Sequence, residues 1–457
     1  MTKQDREMPN IIIEDRSLNK AFAAARSGAR SLVLYRSLLN DPVISEWLGL
    51  LDAVAEGADR SGILECYHTW CSRLLAYETA LPWSDRWQSY LAERVLYQEN
   101  PFSLAAEHVS ADLLEPGLMQ AAQHDLELLQ RFFDCGVSQT AELVERSVGK
   151  DGRVFRLPPF RFDAGLSSTG LFLLESADWT QEATNLANYY HFFGSGVFAR
   201  FHAFRWQHHR PGMGKLIPIN EPDSVSFDDL IGLERQKEQV MTNTEYLLAR
   251  LPSNHILLYG KRGTGKSSLV KAILSEYAGR GLRLIELGKQ DLGELSSVLA
   301  EVRGRAFTFL LFIDDLSFEE YEVQYKELKG MLEGGIDAVP SNVRVYATSN
   351  RRHLIREYFS DRKHGEEIHL DDSAQEKLSV ADRFGITILF PTPAQQGYLQ
   401  IVHELAARSG LALSGEELER KALEWEKTHH GLSGRTARQF IDRLVAESRY
   451  RKPKVTL

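Results

Sequence analysis

The sequence predicts an α/β chain: a domain built on a buried parallel sheet and closed by a small helical lid, preceded by a mainly helical N-terminal region. Three observations carry this expectation. Residues 255–274 read HILLYGKRGTGKSSLVKAIL, an apolar run, then a glycine-rich turn, then apolar residues at helical spacing. Two further apolar runs, FTFLLFIDD at 307–315 and NVRVYATSN at 342–350, end in polar residues, as strands buried on both faces do. In residues 17–148, stretches such as DLELLQRFFDCGVSQTAELVERSV carry apolar residues three and four apart, the period of an amphipathic helix.

The totals bound the rest. A chain of 457 residues is expected to form two to four domains, at roughly 100–200 residues each. A net charge of −9 gives no global attraction to nucleic acid or to anionic lipid. Three cysteines, Cys66, Cys71 and Cys135, are too few for a disulfide framework and suit a reducing cytoplasm. The start, MTKQDREMPN, lacks the apolar stretch of a signal peptide, and no apolar run approaches the ~18 residues of a membrane span. Pro and Gly concentrate in PGMGKLIPINEPDS at 211–224, so the expected divisions are 1–210, 222–392, 393–449 and a basic tail at 450–457.

The turn at 260–267 matches G-x-x-x-x-G-K-[ST] at every position and lies between a strand and a helix, the context that motif requires. Its glycines let backbone N–H groups point inward at phosphate oxygens, and the helix that follows adds its positive end. The candidate cradle is therefore Gly260, Lys261, Arg262, Gly263, Thr264, Gly265, Lys266 and Ser267, with Ser268 next to it. Lys266 would reach the β- and γ-phosphates and Ser267 would bind Mg2+. Two glycine clusters fail the same test. In residues 209–216 His209 replaces the first glycine and Leu216 the Ser/Thr, and Gly194-Ser-Gly196 lacks a third glycine.

Candidate partners of the cradle follow in order. Asp314, at the end of an apolar strand, suits a magnesium ligand. Asp315 follows it as a candidate for orienting the attacking water, although Asp is one methylene shorter than Glu; Glu319 and Glu320 stand one turn on. Asn350, beside Thr348 and Ser349, would contact the γ-phosphate or that water. Arg383 precedes a last strand, ITILF, a position from which, in ring-forming ATPases that this order of motifs resembles, an arginine reaches a neighbouring copy's site, where a guanidinium would stabilise charge on the γ-phosphate. Residues 394–449 have the spacing of three helices. Ser433 resembles the N-cap of the last, and arginines early in a helix oppose its dipole and call for an anion, which makes Arg435 or Arg438 a phosphate contact.

These motifs stand in the order found in the AAA+ superfamily. Together, NTEYLLA, LLYGKRGTGKSSLVKA, FIDDLSFEE, YATSNRRHL, EKLSVADRFG and SGRTARQFID resemble the bacterial ATP-binding family called domain of unknown function 815, over roughly residues 165–445. The resemblance implies a three-layer AAA+ P-loop domain with strand order 5-1-4-3-2, ATP with Mg2+, and a homo-oligomer. It also implies that the backbone of Leu230 and Ile231, in FDDLIGL, reads the adenine edge.

In the N-terminal half, residues 153–163 and 169–175 read as short strands or extended segments. Cys66, His68 and Cys71 lack the second ligand pair of a metal site and read as core residues. The aromatic-rich stretch 189–210 reads as a helix packed on its apolar face, followed by a polar linker; stacking on single-stranded nucleic acid is the alternative. The expected work is ATP hydrolysis coupled to remodelling or switching of a protein partner held by the N-terminal region. The alternatives are a nucleic-acid-associated helicase loader and a non-hydrolysing switch. Polypeptide threading is disfavoured, because GKQDLGELSSVL after the second strand has no aromatic residue.

Overall fold

The computed structural model describes residues 8–78, 81, 83–149, 154–159, 171–208, 214–317, 323–332, 339–350, 383–411, 414–429 and 431–450. The chain divides into two compact units, Met1–Arg200 and Phe201–Leu457.

The first unit is helical. Its longer helices are Met8–Ala29, Pro42–Ala55, Arg60–Ala76, Pro116–Phe133 and Val137–Val148. Helix starts follow capping chemistry: Asp41, ahead of Pro42–Ala55, accepts from the N–H groups of Val43 and Ile44, and Asn100, ahead of the short helix Pro101–His108, from those of Phe102 and Ser103. The core is aromatic. Trp47 and Trp87 lie 4.7 Å apart between ring centroids, and the Trp87 indole donates to the Phe132 carbonyl at 2.8 Å. The buried Asp125 carboxylate satisfies two backbone donors outside any helix, Val33 N at 3.0 Å and Tyr35 N at 2.8 Å.

One expected strand here is a helix. Leu171–Glu175 forms a helical turn in which the adjacent Leu173 and Leu174 are both buried. A short unbroken apolar run has no period that separates strand from helix, and the Leu173 carbonyl is held by the Trp179 indole at 2.7 Å. Residues 154–159 are neither helix nor strand; the rest of the segment expected at 153–163 lies outside the described residues.

The second unit is built on one sheet. Its strands are β1 (Ala203–His208), β2 (Gly214–Pro218), β3 (Ile256–Gly260), β4 (Leu282–Glu286), β5 (Thr308–Ile313), β6 (Val343–Ser349) and β7 (Ile386–Phe390). Their order is β2-β1-β4-β5-β6-β3-β7. Counted from the strand that leads into the glycine turn, β4-β5-β6-β3-β7 reads 2-3-4-1-5, the expected core order, and all its pairs are parallel. Every residue of β5 is buried, which explains the continuous apolar run.

The sheet also corrects the expected boundary at residue 210. Ala203–His208 is a strand parallel to β4, and Gly214–Pro218, expected as a linker, pairs antiparallel with it. The aromatic density of 189–210 hides a change of period. Phe204 and Trp206 are buried while Arg205 and Gln207 are exposed, and Arg205 pairs with Glu286 of β4 at 2.7 Å. The segment after β4 is tied to this added ribbon. His208 Nδ1 lies 2.6 Å from the buried Asp291, and Trp206 donates to Glu294 at 2.9 Å.

Three helices, Gln395–Arg408, Gly415–Thr428 and Gly434–Arg449, form the lid, with their own core around Tyr398, Val402, Leu418 and Phe440. Ser433 caps the last by accepting the Thr436 N–H at 3.1 Å.

Candidate nucleotide-binding site

The site grows from the end of β3. Gly260 has φ 148°, and a Cβ there would lie 2.2 Å from the Phe390 carbonyl oxygen, so a side chain is excluded by the adjacent strand. Gly263 has φ 79° and faces the lid: its carbonyl accepts the Arg435 N–H at 3.2 Å, and a Cβ would meet Ser433 and Arg435 at 3.0–3.3 Å. The turn thus lets the lid's last helix approach the loop. The helix Lys266–Tyr277 begins at once, aiming its free N–H groups into the turn.

Lys266 is buried. Its ammonium donates to the carbonyls of Gly260 at 2.8 Å and Lys261 at 2.9 Å, and lies 3.4 Å from Asn350 Oδ1. Burial pulls its pKa below the ordinary lysine value, against the pull of Asp314 and Asp315. Thr264 steadies the loop through Lys261 O at 2.9 Å.

Asp314 receives two hydroxyl bonds on one carboxylate oxygen, from Ser267 at 2.7 Å and Thr348 at 2.5 Å. A hydroxyl and a carboxylate in contact beside the phosphate cradle form the oxygen donor set a hard divalent cation takes, so these residues fit Mg2+. Thr348 also reaches the next residue: its oxygen accepts the Asp315 N–H at 2.9 Å. Asp315 has φ 52°, a left-handed conformation that Asp tolerates better than most side chains and that turns its carboxylate away from the strand direction. That carboxylate takes Arg262 at 3.1 Å on one oxygen and the Asn350 amide on the other. Replacing Thr348 by Val should leave the Asp315 N–H unpaired and Asp314 held by Ser267 alone. The expected loss is about 1–3 kcal/mol of stability together with weaker magnesium binding. Denaturant midpoints and a magnesium titration check both.

Between the loop, the segment at 223–233 and the lid lies a cavity of about 690 Å3. Leu230 and Ile231 line it, and they belong to different cores, Leu230 to the sheet's and Ile231 to the lid's. Gly263 to Ser268 also line it, as do Arg435 and Arg438. The two arginines differ. Arg438 pairs with Asp229 at 3.2 Å, a carboxylate that also attracts Arg408, whereas Arg435 has no carboxylate partner among the described residues. The Arg435 charge acts on Lys266, as expected of cations placed to share an anion.

Arg383 is exposed and is not among the residues lining the cavity. Glu319 and Glu320 lie outside the described residues. Sequence reasoning missed the bond from Arg262 to Asp315 and the role of Asp229. The first has no local signal; the second could have been sought in the acidic pair of FDDLIGL facing two arginines of the lid.

Residues 199–448 match the family described as "Protein of unknown function (DUF815)". The chain belongs to the DUF815 family. Its matched region starts just ahead of β1, so the added ribbon lies within the DUF815 portion. The domain is an AAA+ P-loop domain. Among curated proteins, this DUF815 chain is 26% identical to the proteasome-activating nucleotidase of Methanocaldococcus jannaschii over 224 residues, covering 43% of this chain and 47% of that protein. It is 30% identical to the proteasome-activating nucleotidase of Aeropyrum pernix over 168 residues, covering 31% and 41%. The DUF815 chain therefore spans less than half the length of these relatives. Among solved structures, a point mutant of RuvB from Thermotoga maritima is similar at 17% identity and a TM-score of 0.35, covering 48% of this chain and 64% of that one. No described helix is long and apolar enough to cross a membrane.

Proposed function

We propose that this protein binds ATP with Mg2+ in the cavity over the glycine turn, hydrolyses it, and uses the change of nucleotide to switch or remodel a protein partner held by the helical first unit. The observation that carries the reading is the contact of Ser267 with Asp314 at 2.7 Å beside the buried Lys266, facing an Arg435 with no carboxylate partner among the described residues. Hydroxyl, carboxylate, ammonium and guanidinium meet where a metal-bound triphosphate needs them. Ser267 and Asp314 would hold the metal ion, which would supply neutralisation of phosphate charge when bound. Lys266 and Arg435 hold the phosphates, Leu230 and Ile231 wall the base, and Asp315 with Asn350 holds the attacking water and its proton. The lid closes over the turn through Gly263 and excludes bulk solvent.

Two features favour switching over threading. The segment after β4 is fastened to the β1–β2 ribbon by Asp291 and Glu294, which leaves it little freedom to grip and pull a chain. That segment also carries no aromatic side chain.

The test separates binding from turnover. Asp315→Asn keeps a side chain that tolerates the left-handed backbone and should retain ATP while losing about 10²–10⁴-fold in hydrolysis, the range for a positioned acid–base group. Turnover that survives the change removes Asp315 from the reaction and leaves Glu319, Glu320 or water held by Asn350. A protein that binds ATP but has no hydrolysis to lose is a non-hydrolysing switch. The trapped ATP-bound variant is also the bait for a partner.

A further inference from the structure

Four side chains form a chain beside the glycine turn. The Lys266 ammonium lies 3.4 Å from Asn350 Oδ1, the Asn350 amide donates to Asp315, and Asp315 accepts from the Arg262 guanidinium at 3.1 Å. Both ends of this chain are cations of the same glycine turn, and the middle is the carboxylate read above as holding the attacking water. Arg262 sits two residues after Gly260, in the part of the turn that wraps a phosphate, so its charge is within the field of any triphosphate there. We infer that Arg262 is a latch: its pair with Asp315 competes with a bound triphosphate for the same guanidinium, so that an incoming triphosphate draws Arg262 away and frees the carboxylate. This inference rests on the nucleotide-site reading.

The balance of forces supports a latch that opens. The Arg262 side chain is 78% exposed and that of Asp315 53%, so the pair is screened by water and weakly held. A triphosphate brings several negative charges against the single charge of Asp315, and it also competes for Lys266 at the other end of the chain. Asp315 keeps its place when the pair opens, because the backbone bond to Thr348 and the left-handed φ remain. The latch therefore acts on the direction and freedom of the carboxylate. Arg262 is a positioning residue, and its cost appears as a weaker apparent affinity for nucleotide, since binding must first break the pair.

A double-mutant cycle on nucleotide affinity tests this. The probe is a fluorescent, non-hydrolysed ATP analogue with magnesium, titrated into the full chain, so turnover plays no part. Asp315→Asn removes the charge that Arg262 grips. In the wild-type background it should tighten the analogue by about two- to five-fold more than in the Arg262→Ala background, the scale of an exposed ion pair. The simple relief of repulsion between Asp315 and the triphosphate is present in both backgrounds and cancels. Equal tightening in the two backgrounds overturns the latch while leaving the nucleotide site intact. A wild-type protein that does not bind the analogue overturns both readings. Where Arg262→Ala does not fold, Arg262→Gln takes its place in the cycle, with the same expected difference.

Discussion

Lys266→Ala is expected to weaken ATP binding by about 10²-fold without unfolding the protein. Two features set the size. The ammonium is the buried cation of the turn, and charge-assisted hydrogen bonds formed away from bulk water are worth about 1.5–3 kcal/mol each. Its present partners, the carbonyls of Gly260 and Lys261 and the Asn350 amide, are replaceable. Gly260 is half-buried and Lys261 is exposed, so losing the lysine strands no acceptor in a dry core. The fold is expected to persist because the turn is also held by Thr264 and by the Gly263 contact with the lid. Titration with a fluorescent ATP analogue measures the affinity, and circular dichroism measures the fold. Unchanged affinity would remove the nucleotide reading altogether.

Arg383→Ala is expected to lower turnover by about 10³-fold while leaving ATP binding intact. The sheet explains why the effect requires a second copy of the chain. β7 runs parallel to β3, with Gly260 opposite Phe390 and Ile256 opposite Ile386. Arg383 precedes β7, so it lies at the end of the sheet opposite the glycine turn. At a rise of roughly 3.3 Å per residue, β7 from Ile386 to Phe390 alone spans about 13 Å, with Arg383 three residues before it, beyond the reach of an arginine side chain. A guanidinium that serves the γ-phosphate must then come from a neighbouring subunit, and such fingers contribute about 10³–10⁵ in rate. Hydrolysis should rise faster than linearly with protein concentration, and ATP should favour association. Mixing two inactive variants, Arg383→Ala and Lys266→Ala, should restore part of the activity, because some interfaces join an intact turn to an intact finger. Normal hydrolysis by Arg383→Ala, with a protein that stays monomeric in ATP and magnesium, would leave a monomeric switch.

Much of the candidate site was legible because the phosphate-binding pattern is local in sequence. The strand, turn and helix around Lys266 occupy one short stretch, and their residue types follow from binding a phosphate. Buried parallel strands are unbroken apolar runs, so β3, β5 and β6 were readable too. What stayed hidden depends on residues far apart. β1 reads as the end of an aromatic helix until β4, some 80 residues on, supplies the Glu286 that pairs with Arg205. What distinguishes Arg438 from Arg435 is Asp229, about 200 residues away in sequence, which pairs with Arg438. Arg262 carried no signal beyond its place in the motif, because only the conformation of Asp315 brings the two together.

The ribbon at the edge of the sheet also sets an order of events during synthesis. β1 pairs Ala203 with Leu284, so it leaves the ribosome about 80 residues before its parallel partner exists. At about 5–20 residues per second that is a wait of roughly 4–16 s. During it, β1 has β2 alone as a partner, since the antiparallel pairing of Phe204 with Pro218 needs no later sequence. That hairpin, marginal by itself as two-stranded ribbons are, is the strand pairing available to Phe204 and Trp206 until β4 arrives. The helical first unit, whose core residues all lie upstream, has its internal partners complete before the wait begins.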